Sequence, residues 1–226
     1  MAKDRALSSH RLSRRLWHAL VWIYGISVGA LFGFYFRLVH ASSRITVSGE
    51  EGLDEKRGYF FTCWHDRFPI YLATLPRHEG QVWMIHPSDR MQPMRQLALW
   101  SGVKEIVSGA TGQQGREAAG RLVRALSEGG STSTVFLPDG PNSDPRKLRN
   151  GILHMAHQSG LAIVPMHLEA SRALRLPTWD KKAVPLPFTR IELRYCAPLP
   201  ARAPSDRRRA ALTAALDGDA VETALK

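Results

Sequence analysis

Three places in the chain join an apolar run to side chains able to move a proton or hold an anion. The first is Tyr59-Phe60-Phe61-Thr62-Cys63-Trp64, which stops on His65, Asp66 and Arg67. An imidazole titrates near neutrality and a neighbouring carboxylate can fix its tautomer, so His65 beside Asp66 has the makings of a general base. The same residues also fit a helix start capped by Asp66, and both readings stand at this point. The second place is residues 132–137 running into Pro138-Asp139-Gly140-Pro141, followed by Arg146, Lys147 and Arg149. Glycine and proline set the backbone there, while Asp139 and the cations put opposite charges within a few residues. A turn aspartate bonded to its own backbone is the plainer alternative. The third is the glycine-rich turn of residues 108–115, whose backbone N–H groups at a helix start could cradle a phosphate, with Arg116 one turn inside. It lacks the spacing of a Walker loop or a dinucleotide fingerprint, so an ordinary tight connection fits it equally.

Other candidates are weaker. His154 and His157 stand three apart on a helix with no third ligand at a recognisable spacing, so no metal site is expected. Ser101 and Ser171 lack the context of a nucleophile elbow, which removes a serine hydrolase. Cys63 and Cys196 are the only cysteines and sit in apolar, strand-like surroundings, as buried free thiols do.

The elements that must position these groups alternate. Strands are predicted at residues 44–48, 59–64, 81–86, 103–107, 132–137, 161–167 and 190–196 from short apolar or alternating runs. Helical spacing recurs in Phe68, Tyr71, Leu72 and Leu75, ended by Pro76. It recurs again in Met94, Leu97, Ala98 and Trp100, closed by Gly102, and in Ala118, Leu122, Ala125 and Leu126. A further helix covers residues 152–159. Residues 168–189, with Pro177, Pro185 and Pro187, read as one long loop. Alternating strands and helices predict an α/β fold with a mostly parallel central sheet flanked by helices. The carboxyl ends of parallel strands then share one edge, which would bring the three places above to one cleft.

At 226 residues the chain suits one such domain with appendages. Lys and Arg outnumber Asp and Glu by 31 to 20, a formal charge of +11, which calls for an anionic partner. The cations do not form the aromatic-interleaved patch that tracks a nucleic acid, so no nucleic-acid partner is expected. They gather instead in the first fifteen residues and in the second half. No charged residue lies between Arg15 and Arg37, and that apolar stretch has the roughly 20 residues that a helix needs to cross a bilayer. Aromatic residues cluster towards its ends, and Gly25, Gly29 and Gly33 form a small-residue stripe suited to helix contact in lipid. The predicted organisation is a basic N-terminus and membrane anchor helix (1–43), an α/β domain (44–200) and a peripheral C-terminal helix (201–226). Crossing the bilayer and lying in it both remain open, and they put the domain on different sides.

Together the N-terminal apolar helix, Trp64-His65, the Gly109 region, Leu137-Pro138-Asp139-Gly140-Pro141, Lys147 with Gly151, and Ile163-Val164-Pro165 resemble the lysophospholipid acyltransferase superfamily. Trp179-Asp180 and Pro185-Leu186-Pro187-Phe188 look like a bacterial branch of it. The resemblance covers roughly residues 44–198. It implies an acyl transfer from acyl-CoA or acyl carrier protein to a lipid hydroxyl, with no metal or other cofactor, at an anionic phospholipid membrane. The location it implies is the bacterial inner membrane, with the catalytic domain on the cytoplasmic face. His65 would be the base, with Asp66 or Asp139 as its catalytic partner. Arg67, Arg116, Gly140, Pro141, Arg146, Lys147 and Gly151 would bind substrate. Two positions depart from the superfamily. Ile70 stands where its His-x-x-x-x-Asp has the aspartate, and no arginine stands at the second motif. A lipid-handling protein that keeps the fold without turnover is therefore the alternative, and a nucleotide-dependent enzyme using the glycine-rich turn is a third.

Overall fold

The computed structural model describes residues 2–75, 77–109, 113–129, 132–140 and 144–218. Pro76, Pro141 and the middle of the glycine-rich turn lie outside the described residues. The elements in chain order are α1 (Ala2–Ser42), β1 (Arg44–Ser48), β2 (Tyr59–Thr62), α2 (Phe68–Leu72), β3 (Val82–Ile85), α3 (Gln92–Trp100), β4 (Glu105–Ser108), α4 (Gln113–Glu128) and β5 (Thr134–Phe136). After these come α5 (Gly151–Ser159), β6 (Ala162–Ala170), β7 (Ala173–Arg175), β8 (Ala183–Pro185), β9 (Arg190–Tyr195) and α6 (Asp206–Asp217).

The central sheet has the order β1-β9-β6-β2-β5. β2 pairs in parallel with both β5 and β6, and β1 with β9, whereas β6 and β9 are antiparallel. The parallel pair β3 and β4 joins this sheet where the Val82 N–H donates to the Ser133 carbonyl at 3.0 Å. The fold is thus α/β with a mostly parallel sheet. Its antiparallel pair has a topological cause: no crossover helix lies between β6 and β9, and a short excursion returns the chain alongside itself in the opposite sense. That excursion is the expected long loop, and it contains the antiparallel hairpin of β7 and β8. Three-residue strands leave too short an alternation to be legible, and Pro185 sits at the end of β8, where a missing donor is tolerated.

Side chains on β2 alternate across the sheet as a pleated strand requires. Tyr59 and Phe61 join α1, α2 and α3 on one face, where Phe36, Val39, Ile70, Tyr71 and Leu97 are buried. Phe60 faces α4, α5 and α6 with Leu122, Ile152 and Leu212. α6 docks into this second cluster through Ala211, Leu212 and Leu216, and the Trp64 indole donates to Asp217 Oδ1 at 2.9 Å. Cys63 and Cys196 are free thiols, the first buried and the second half-buried.

α1 lies along the domain. From Leu16 to Ser42 it is long and apolar enough to cross a membrane. Its glycine stripe, which would suit a partner helix in lipid, meets α3 of the same chain. A Cβ on Gly25 would stand 2.9 Å from Gln92 Cβ, and one on Gly29 would stand 2.9 Å from Gln96 Cβ and 3.0 Å from the Pro93 carbonyl oxygen. The Trp17 indole donates to Asp89 at 3.1 Å, and the Tyr35 hydroxyl donates to the Pro185 carbonyl at 2.7 Å. The opposite face exposes Leu16, Leu20, Ile23, Leu31, Phe34 and Leu38.

Close approach at Gly29 makes a direct test. Gly29→Leu forces α3 away from α1 and lowers stability by about 1–3 kcal/mol in denaturant unfolding of the detergent-solubilised protein. Gly120→Ala, in α4 with nothing within 4 Å of the added carbon, raises it by about 0.5–1 kcal/mol.

Candidate active site at the carboxyl edge of the sheet

Register explains why the two principal sequence candidates meet. Thr62 of β2 stands opposite Phe136 of β5, and His65 and Asp139 each follow three residues later, so parallel pairing delivers both to the same edge. The His65 backbone N–H donates to Asp139 Oδ1 at 3.2 Å, and the Arg146 N–H donates to Oδ2 at 3.2 Å. Asp139 is 1% exposed. Burial pushes its carboxyl above the usual carboxylate range, and these backbone donors offset part of that rise. Gly140, with φ +65°, and Arg146, with φ +58°, both hold left-handed backbones beside this carboxylate. Asp139 is therefore a clamp between two loop backbones, and its contact with His65 is to the main chain.

The carboxylate on the His65 ring comes from elsewhere. His65 Nδ1 lies 2.6 Å from Asp180 Oδ2, while the Thr178 hydroxyl donates to Oδ1 at 2.8 Å and Lys182 Nζ also binds Oδ2. The Asp180 side chain is fully buried and that of His65 is 19% exposed. Burial raises the Asp180 carboxyl, but the hydrogen bonds from Lys182, His65 and Thr178 outweigh it and hold the group below its ordinary range. Trp179 sits beside the imidazole, ring centres 5.3 Å apart, with Lys182 Nζ 5.6 Å from the indole centre.

Lys182 Nζ is also 2.8 Å from His65 Nδ1. Both contacts to Nδ1 cannot be hydrogen bonds at once, because that nitrogen carries either a proton for Asp180 or a lone pair for Lys182. The buried carboxylate at the shorter distance decides for the proton, since an unprotonated nitrogen there would set two lone pairs against each other. Lys182 then serves Asp180, keeping it ionised. Nε2 is left with a lone pair, and among the described residues only Nδ1 of this ring has a hydrogen-bond partner.

Asp66, expected as a partner of the ring, faces the other way. Its Oδ2 gathers Arg146 Nη2 at 3.0 Å, Arg175 Nη1 at 3.4 Å and Arg67 Nε at 3.5 Å, while Oδ1 is buried without a partner among the described residues. Three guanidiniums around one carboxylate leave an excess of two positive charges beside His65. Arg146 and Arg175 are about half exposed, so they can reach an incoming anion.

The remaining sequence candidates make no hydrogen bond or ion pair with His65, Asp66 or Asp180 among the described residues. Arg116 is exposed on the first turn of α4 and makes no hydrogen bond or ion pair among the described residues. Lys147 pairs with Asp144 at 2.9 Å with both side chains exposed, and Gly151 opens α5. Two open hollows, one along α6 and one beside His40 and Arg77, contain no residue of this site. Sequence reasoning missed Asp180, Lys182 and Arg175 as members of the site. The signals were the Trp179-Asp180 pair already singled out and the polar run Thr178-Trp179-Asp180-Lys181-Lys182 around it, and nothing in them names His65 as their target.

No family model matches the chain. It is 27% identical over 174 residues to the uncharacterized protein RP090 of Rickettsia prowazekii (strain Madrid E), covering 75% of this chain and 78% of that protein. Among solved structures it is similar to the 1-acyl-sn-glycerophosphate acyltransferase PlsC from Thermotoga maritima, with a TM-score of 0.54 and 13% identity, covering 90% of this chain and 87% of that one. The likeness to that structure is one of fold.

The Asp180 contact predicts a spectroscopic signature. In the native protein at neutral pH, nitrogen NMR finds His65 protonated on Nδ1. In Asp180→Asn the amide can turn its NH2 to Nδ1, and the Nε2–H tautomer grows. A carboxyl held low in the fold contributes stability above its unfolded pKa and loses it as pH falls. The stability difference between native and Asp180→Asn proteins therefore shrinks below about pH 4 in urea titrations.

Proposed function

We propose that this protein is a membrane-associated O-acyltransferase that moves a fatty acyl group from a thioester of coenzyme A or acyl carrier protein to a lipid hydroxyl. The observation that carries the reading is the imidazole of His65, braced at Nδ1 by a buried carboxylate and open at Nε2, on a fold similar to that of an acyltransferase. Nε2 takes the proton of the acceptor hydroxyl as its oxygen attacks the thioester carbonyl. The tetrahedral oxyanion then collapses, the C–S bond breaks, and the thiolate takes the proton back from the imidazolium. Asp180 stabilises that imidazolium and fixes the ring orientation.

Arg67, Arg146 and Arg175 are proposed to bind the phosphate of the acceptor or donor, in line with a lysophospholipid-like acceptor. Lys147 and Arg116 are proposed as further cations for the same phosphate, Lys147 being the neighbour of Arg146 in the chain. The alternative of a fold without turnover rested on Ile70 in the place of the superfamily's aspartate. Ile70 is buried in the core, and Asp180 supplies a carboxylate from another loop, so that motive for the alternative falls away.

Docking of α1 along α3 supports a helix lying in the interface, because a crossing clear of the domain would strip its glycine face from Gln92 and Gln96. The basic N-terminus and the domain would then share one side of the bacterial inner membrane, the cytoplasmic one by the usual distribution of basic residues.

Purified protein with radiolabelled acyl-CoA or acyl carrier protein and a panel of lysophospholipids tests the reaction. His65→Ala and Asp180→Asn each lower turnover by about a hundredfold or more. Arg175→Ala chiefly raises the KM of the phosphate-bearing substrate. Transfer that survives His65→Ala would sink the assignment.

A further inference from the structure

The Pro185-Leu186-Pro187-Phe188 motif is not used by the chemistry above, and its last residue is the most exposed large apolar side chain among the described residues, at 75%. Phe188 also holds a left-handed backbone, φ +59°, which a bulky side chain rarely adopts. Three described non-glycine residues do this. Arg146 and Lys181 lie in the site, where strain serves geometry, and Phe188 is the third. The strained backbone at Phe188 leaves its aromatic ring largely in water.

The surroundings of Phe188 point to an occupant. Its N–H donates to Ser42 Oγ at 3.2 Å, at the end of α1, and Tyr35 holds the Pro185 carbonyl. The loop thus runs along the flank of α1 beside its exposed apolar face, where Phe34 is 68% and Leu38 42% exposed. On the other flank, Trp100 of α3 is 40% exposed, and its carbonyl accepts from Arg37 at 3.4 Å. Next to Phe188, Arg44 and Arg190 are register partners on the exposed face of β1 and β9, and neither forms an ion pair among the described residues. Like charges side by side in a sheet are unfavourable unless an anion lies against them. An aromatic tip, an apolar helix face and an unpaired arginine couple fit a bilayer with anionic headgroups better than a protein partner.

We propose that Phe188 inserts into the membrane as a second contact beside α1, pressing the segment that carries Asp180 and Lys182 against the lipid surface, with Arg44 and Arg190 on headgroup phosphates. This rests on the membrane clause of the functional reading and adds a site to it. Pro185 and Pro187 restrict the backbone between the inserted ring and the site, so the orientation of the His65 edge toward lipid is set at two points.

The test uses full-length protein on vesicles of phosphatidylethanolamine and phosphatidylglycerol. In a Cys196→Ser background, a nitroxide on Phe188→Cys becomes accessible to oxygen and shielded from aqueous nickel on vesicle binding. The same label on Glu117→Cys, exposed on α4 across the sheet, stays aqueous. Phe188→Gly, which adopts the same φ without strain, lowers vesicle affinity by about tenfold with no loss of thermal stability. Protein that binds vesicles while position 188 stays aqueous, or Phe188→Gly binding as tightly as native, overturns this inference and leaves the role of α1 intact. Spin–spin broadening at 188 without vesicles assigns the face to a second copy and also overturns it. Native protein that stays off vesicles overturns the membrane clause and this inference together.

Discussion

One buried carboxylate governs the site. The Asp180 side chain is fully buried, and an unpaired ion there would carry a desolvation cost of several kcal/mol, so the groups around it are arranged to keep it charged. Lys182, Thr178 and the His65 ring each give it a hydrogen bond. The pairing determines the tautomer of His65, and the tautomer determines which nitrogen can receive a proton. Removing the carboxylate therefore does more than delete a contact, since it frees Nδ1 to turn its lone pair to Lys182 and puts the proton on the wrong nitrogen.

The other two acids do structural and electrostatic work around that dyad. Asp139 ties the backbone after β2 to the loop after β5, so the imidazole is presented from a fixed main chain. Asp66 holds three arginines that would otherwise repel one another, in a place where their excess charge faces outward. Tying the main chain, orienting the imidazole and gathering the arginines are thus divided among three carboxylates that arrive from three loops. Their burial makes each arrangement intolerant of a missing partner.

α1 is bound to the domain on one side and apolar on the other. Its glycines let α3 come within backbone distance, which leaves the leucine and phenylalanine face exposed among the described residues. A helix with one face against its own domain and the other largely apolar is suited to the boundary between water and lipid.

Much of this was legible from residues alone. Alternating apolar runs and helical spacings are local patterns, so the α/β order, the apolar N-terminal helix and the delivery of His65 and Asp139 to strand ends could be read directly. Their arrival at one edge followed from parallel pairing. The glycine stripe on α1 was visible, but its partner was not, because close-approach residues name no particular neighbour. The short β7–β8 hairpin escaped notice because three-residue strands carry no usable period, and the antiparallel sense of β9 did because alternation along a strand does not encode the direction of its neighbour. Above all, the partner of His65 lies 115 positions away in a proline-bearing loop. Loop side chains meet according to strand order and packing, which no short-range pattern encodes. The sequence by itself determined which group could move a proton and what kind of scaffold would carry it. Only the tertiary structure, by folding the 178–182 segment over the end of β2 and out of water, decided which carboxylate would direct that proton.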